Sequence, residues 1–246
     1  MPALVEMRQI TKTFGPVAAL NRVDFSVNAD EVVGLVGDNG AGKSTLMKIL
    51  TGVYQPDAGE IWLGGMRVHF HSPLESRQKG IEMVYQDLGL AENLSAIANI
   101  FLGREITRRS GGLRLLNEGE MERQGRQHLD GLQISLPSVF FPVERLSGGQ
   151  RQSVAIARAT AFRAQLVIMD EPAASLAVSE AAKVLALITR LREQGVAVVL
   201  ISHRLQDVLD VSDRIVVLNR GSKVGDLRRR DATMGDVVGL IVGKSA

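Results

Sequence analysis

The stretch Gly37-Asp38-Asn39-Gly40-Ala41-Gly42-Lys43-Ser44 constrains this chain more than any other. It fits G-x-x-x-x-G-K-[ST] in full. The apolar run Val32–Val36 before it reads as a buried strand, and Thr45–Leu50 after it reads as a helix. Strand, glycine loop and helix together make a phosphate cradle. Gly37, Gly40 and Gly42 let backbone N–H groups converge, with no Cβ in the path of a polyphosphate. The helix start adds unsatisfied donors and a partial positive charge. Asp38, Asn39, Ala41 and Thr45 fill out the cradle. Lys43 is placed to reach the β- and γ-phosphates, and the Ser44 hydroxyl to hold a Mg²⁺ ion.

Composition narrows the setting. A chain of 246 residues, 45% of them hydrophobic, builds one large domain or two small ones with ample core. A net charge of +2 gives no reason to expect nucleic acid as a partner. The absence of cysteine excludes a disulfide framework and thiolate metal sites, and suits a reducing compartment. Met1–Glu6 lacks the basic start and apolar core of a signal peptide. No run approaches the roughly eighteen apolar residues of a membrane span. The expectation is a soluble chain that meets a membrane only through a partner.

Along the chain, Leu4–Ile10 and Val23–Val27 read as short strands, with Phe14 in the loop between them. An aromatic there either stacks on a nucleobase or joins the core. Gly59–Phe70 reads as a hairpin turning at Gly64-Gly65. Ser72, Pro73 and Glu75 spell a helix start with a capping box. His69 and His71 share one side of a strand, more simply a solvated strand end than a metal site. Ile81–Tyr85 reads as a buried central strand ending at Gln86, where open α/β sheets place ligand-binding groups. From there to about Arg163 helical signals dominate: 95–102 and 117–132 are expected helices. Arg104–Arg114, with Gly111-Gly112, reads as a basic, solvated surface turn.

The second half carries the remaining chemistry. Leu146-Ser147-Gly148-Gly149-Gln150 precedes an expected helix, 151–162, and reads either as a second anion site or as an ordinary N-cap. Leu166–Met169 delivers Asp170 and Glu171 to the carboxyl end of a buried strand. Two acids there are costly as core, but beside a phosphate cradle Asp170 can hold a hydrated Mg²⁺ and Glu171 can orient an attacking water. Residues 179–194 read as an amphipathic helix. Residues 196–201 form a strand ending at Ser202-His203, with His203 in reach of the γ-phosphate. Arg214–Leu218 reads as a last core strand, 219–227 as a turn through Gly221, and 232–242 as a closing helix.

In this order the motifs resemble those of the ATP-binding-cassette (ABC) transporter ATPases. Gly37–Ser44 matches the Walker A loop, Gln86 the glutamine loop, and Leu146–Gln150 the signature. Asp170 and Glu171 match the Walker B acids, and His203 the switch histidine. The resemblance implies an α/β P-loop NTPase (RecA-like) core with an antiparallel β subdomain and an inserted α-helical subdomain. One domain would span 1–246, with 1–86 and 163–246 as core and 87–162 as the insert. It also implies ATP and Mg²⁺ as cofactors, with Ser44, Gln86 and Asp170 at the metal. Lys43, Gln86, Glu171 and His203 would act at the γ-phosphate, and Phe14 on the adenine. Each ATP would be sandwiched in a homodimer, between Walker A of one subunit and Ser147-Gly148-Gly149-Gln150 of the other.

Val84–Leu90 and Leu94–Glu105 look like the simple-sugar importers. The implied partners are an integral membrane permease and, indirectly, an extracytoplasmic sugar-binding protein. The implied location is the cytoplasmic face of the cell membrane. Leu88 and Leu90 are expected to form an exposed patch that receives a permease helix. Rival readings are an exporter or envelope-remodelling cassette, a soluble non-transport ABC ATPase, and a scaffold without hydrolysis. The chain departs from the family after Pro172, where Ala173 and Ala177 stand in place of the usual threonine and aspartate.

Overall fold

The computed structural model describes residues 3–110 and 113–243. The first part runs β1 (Val5–Phe14), β2 (Val17–Val27), β3 (Val32–Val36), α1 (Lys43–Leu50), β4 (Ala58–Leu63), β5 (Met66–Val68), α2 (Pro73–Gln78) and β6 (Ile81–Val84). A mainly helical stretch follows: α3 (Ala96–Phe101), β7 (Thr107–Ser110), β8 (Leu113–Leu116), α4 (Glu118–Gly131) and α5 (Gly148–Thr160). The chain then returns through β9 (Leu166–Asp170), α6 (Val178–Glu193), β10 (Ala197–Ile201), α7 (Leu205–Val211), β11 (Arg214–Asn219), β12 (Ser222–Arg228) and α8 (Met234–Val242).

The main sheet has six strands in the order β12-β11-β3-β10-β9-β6; β11 through β6 are parallel, and β12 is antiparallel to β11. Every residue of β3 and β10 is buried, as their unbroken apolar sequences require of strands covered on both faces. Their side chains alternate between two cores. Val32, Val36, Val198 and Leu200 face the core containing α5 and α6. Val33, Leu35, Val199 and Ile201 face α1 and a second sheet, antiparallel, ordered β2-β1-β4-β5. The α3–α5 stretch brings Ile97, Phe101, Met121, Leu129 and Val139 into the first core.

Several local readings change. β1 runs on to Phe14 and β2 begins at Val17, so Phe14 closes a strand rather than sitting in a loop. Register shifts and the positive φ angles of Gln9 (52°) and Arg22 (48°) break the alternation that would have revealed the full strands. β6 is an edge strand, not a central one. The described residues of Arg104–Arg114 are mostly exposed, as expected, but they form a hairpin rather than a plain turn: β7 and β8 pair antiparallel, β8 running on to Leu116, and Gly111-Gly112 lie outside the described residues. Arg104 itself reaches the buried Glu82 at 2.6 Å, neutralising an acid inside a strand. At α2, Ser72 caps as expected, but Glu75 accepts from His71 N (2.8 Å) rather than closing the box on Ser72. The His69 and His71 rings meet edge to face, 4.5 Å apart. The 219–227 turn is largely β12, and α7 was not expected at all.

Leu88 and Leu90 are not an exposed patch. Both are half-buried and pack against the core beside α5. Arg158 on α5 donates to the carbonyls of Leu88 (2.6 Å) and Gly89 (2.7 Å), tying this segment to the helix. Asn99 is fully buried; its amide accepts from Ala91 N and donates to Ala91 O, Leu94 O and Ser95 O. That one side chain satisfies the loop leading into α3.

The substitution at Ala177 has a visible consequence. Ala177 is the N-cap of α6, in extended geometry, and no side chain caps the helix there. Ala177→Asp should supply that acceptor and stabilise the fold by about 1 kcal/mol. In a chain of this size that raises the melting temperature by about 2–4 °C. A thermal melt checks it, and an unchanged or lowered midpoint would show that the helix end is already satisfied in solution.

Candidate functional site

The buried strand β3 ends at Val36, and the chain turns through 37–42 into α1. Gly37 has φ +149°, and a Cβ there would lie 2.2 Å from Leu218 O, so only glycine fits between the loop and β11. Gly42 is the N-cap of α1 in left-handed geometry (φ 101°) with no side-chain cap, which leaves the first-turn N–H groups to a ligand. Lys43 is buried, and its Nζ donates to Gly37 O (2.7 Å) and Asp38 O (3.0 Å). The ammonium is therefore held against the loop backbone. Burial lowers its pKa, opposed by the nearby Glu171, Asp170 and Asp38.

The acids come from the next strands. β9 pairs with β10 in the parallel sheet, which sets Asp170 opposite Ile201 and the two acids beside His203. Ser44 Oγ lies 3.5 Å from Asp170 Oδ2. Glu171 adopts φ +54° and donates its N–H to Ile201 O (2.9 Å). A non-glycine residue in that region is strained, and here the strain turns the carboxylate toward His203, whose Nε2 is 3.4 Å away. Burial raises the pKa of both acids. For Asp170 the countering charge is first Lys43, for Glu171 first His203.

These residues line one cleft of about 450 Å³: Asn39–Thr45, Gln86, Asp170, Glu171 and His203, with Val17–Ala19 as the opposite wall. Those small β2 residues escaped sequence reasoning, because nothing in Val-Ala-Ala marks a binding wall. They are placed by the 220–221 turn, where Gly221 N donates to Ala41 O and Gly221 O accepts from Asn21 N. Asp38 contributes its backbone carbonyl, while its carboxylate accepts from Asn39 N. Phe14 lies outside the cleft, with its ring edge-on to Tyr54 at 5.3 Å and Lys12 above it.

The structure does not bring Ser147–Gln150 to this cleft. Ser147 caps α5 with a full capping box: its Oγ accepts from Gln150 N and Gln150 Oε1 accepts from Ser147 N. The helix packs so closely on α6 that a Cβ at Gly149 would meet Glu180 Cβ at 2.9 Å. Ser147, Gly149 and Gln150 open instead onto a separate hollow with Lys183 and Arg190. Gly148 and Gly149 are half-buried, and none of Ser147–Gln150 lines the cleft around Lys43.

The family model of the ABC transporter matches residues 20–174, from β2 through the Walker B acids and beyond, which is more than half of the chain. The chain belongs to the ABC transporter ATPase family. Over 237 residues it is 44% identical to a xylose/arabinose import ATP-binding protein of Sulfolobus acidocaldarius, covering 96% of this chain and 93% of that one. Over 245 residues it is 44% identical to a fructose import ATP-binding protein of Rhizobium meliloti, covering 98% and 94%. A ribose import ATP-binding protein of Geobacillus kaustophilus is 41% identical, and the chain spans 48% of its length. Among solved structures, the ADP conformation of an ABC transporter cassette superposes with a TM-score of 0.84 at 26% identity, covering 99% of this chain and 96% of that one. A dimeric bacterial ABC transporter cassette superposes at 0.77 with 25% identity, covering 92% and 99%. The ABC ATPase has the expected P-loop α/β core, antiparallel sheet and helical insert.

Proposed function

We propose that this ABC ATPase hydrolyses ATP to drive import of a simple sugar, working as a sandwich dimer docked on a membrane permease at the cytoplasmic face. The convergence of Lys43, Ser44, Asp170, Glu171 and His203 on one cleft carries the hydrolytic part. The near full-length likeness to xylose/arabinose and fructose import proteins supports the sugar. In this reading 1–86 and 163–246 form the core, and 87–162 the insert that moves against it.

Each group has a task its position allows. Backbone N–H groups of 39–45 and the Lys43 ammonium bind the phosphate tail. Ser44, Asp170 and Gln86 offer a hydroxyl, a carboxylate and an amide oxygen, a hard donor set suited to Mg²⁺. When bound, that ion neutralises charge on the β- and γ-phosphates. Glu171 accepts a hydrogen bond from the attacking water and aligns it with phosphorus. His203 steadies the carboxylate and the γ-phosphate oxygens. Phe14 stacks on the base after a shift of the β1–β2 tip. Leu88 and Leu90 are half-buried rather than an exposed patch, and the permease helix docks in the groove that Leu88 lines together with Ile100, Phe162 and the exposed Tyr85 and Leu102.

The test is uptake. Membrane vesicles containing the chain with its permease and sugar-binding partner should accumulate one labelled sugar from a panel of xylose, arabinose, fructose and ribose when ATP is inside. Lys43→Ala, which lacks the phosphate-binding ammonium, should abolish accumulation. ATP-driven efflux, or no uptake of any sugar by a hydrolysing complex, would overturn the import reading.

A further inference from the structure

Glu171 lines a second hollow as well as the cleft. This chamber, about 320 Å³, lies between the Gln86–Glu92 segment, the first turns of α5 and the Pro172–Leu176 segment. Two of its lining residues carry buried polar atoms without partners. Gln152 is 6% exposed, and its Nε2 donates to nothing among the described residues. Glu171 Oε1 is likewise buried and without a hydrogen bond; His203 Nε2, at 3.4 Å, is within ion-pair distance only. Gln152 has no short-range reason to be polar: it sits on the inner side of α5, among Val154, Ala155 and Ile156. Buried amides without acceptors are rare in folded proteins, and their usual remedy is an ordered water held by several polar groups. The chamber has room for several waters at about 30 Å³ each.

We infer that Gln152 is a positioning residue for Glu171. Its amide N–H holds a water in the chamber, and that water donates to the buried oxygen of Glu171. The carboxylate is then fixed in rotation, with its other oxygen left for the attacking water. The inference rests on Glu171 being the water-orienting residue. It also makes that orientation depend on α5, since Gln152 lies only five residues beyond Ser147. A carboxylate held through the helix that faces the partner subunit is aligned only when that helix is in place.

The test uses the full chain. Gln152→Met keeps length and volume but removes the donor. It should lower kcat about tenfold or more, as for a misplaced reacting group, with KM for ATP and the melting temperature essentially unchanged. In a Glu171→Gln background, single-turnover phosphate release should be no slower with Gln152→Met added, because the residue acts through a carboxylate already gone. Gln152→Asn, which keeps a donor for a water to reach, should recover much of the rate. This variant also covers the case in which the methionine protein folds poorly. An unchanged kcat in Gln152→Met, a further loss in the double mutant, or an asparagine variant as slow as methionine would each overturn the inference. Full hydrolysis by Glu171→Gln alone would instead remove the reading of Glu171 on which it rests.

Discussion

Glu171→Gln should bind ATP as the unaltered chain does, yet release phosphate about a hundredfold more slowly or worse. The amide keeps the size and much of the polarity of the side chain, and Lys43, Ser44 and the loop N–H groups are untouched. What is lost is the carboxylate's charge and one of its two acceptor oxygens, which becomes an NH₂ donor. Losing the group that aligns and polarises the attacking water typically costs two or more orders of magnitude. A steady-state phosphate-release assay measures the effect, with ATP binding followed separately by calorimetry. Equal rates would take Glu171 out of the mechanism. Because ATP then persists, the same variant should accumulate as a dimer with ATP and run as a monomer with ADP on size-exclusion chromatography.

That dimer is the background for the second large effect. Glu171→Gln with Ser147→Arg should be monomeric in ATP while each monomer still binds the nucleotide. The reason is positional: Ser147 opens onto a different hollow from the chain's own cradle. A long cation there intrudes on the partner's nucleotide and leaves the subunit's own cleft alone. Ser147 also caps α5, so Ser147→Ala is the necessary control. It loses about 1 kcal/mol of helix capping but adds no bulk, and the dimer should survive. If Ser147→Arg instead removes ATP binding from the monomer, the signature and the cradle serve one pocket, and the sandwich is wrong.

The parts of the fold that were legible in the sequence were those dictated by local rules. β3, the glycine loop, β9 and β10 announce themselves because strands buried on both faces must be apolar throughout, and the acids at the carboxyl end of β9 are anomalous in any core. Ser72, Ser95 and Asn117 gave helix starts within a residue, because a side-chain cap is a local contact. α7 stayed hidden because it is one short helix with no side-chain cap, held by packing against the sheet; a Cβ on Gly34 would collide with its Val208. β7 and β8 carry no burial pattern to read, since the four residues of β8 are all exposed. Leu88 and Leu90 look like a surface patch in isolation, and only Arg158 and the core beneath them show otherwise. The site followed the same division. Its charged residues were visible in the sequence, whereas the Val17–Ala19 wall depends on the turn at Gly221, two hundred residues away.

The tie from Arg158 to Leu88 and Gly89 makes α5 a lever. In the proposed sandwich its start, at Gly148 beside the Ser147 cap, would face the neighbouring subunit. Ten residues on, the Arg158 guanidinium grips the segment that leaves Gln86. At 1.5 Å per residue the arm is about 15 Å long. Tilting it by ~15°, a rotation of the size seen between rigid bodies in switching proteins, sweeps the far end through roughly 4 Å. Such a stroke passes from the partner's nucleotide to the groove where Tyr85 and Leu102 lie exposed, without either end having to melt. A stiff arm transmits in both directions, so a load on that groove resists closure over ATP as firmly as ATP displaces the load.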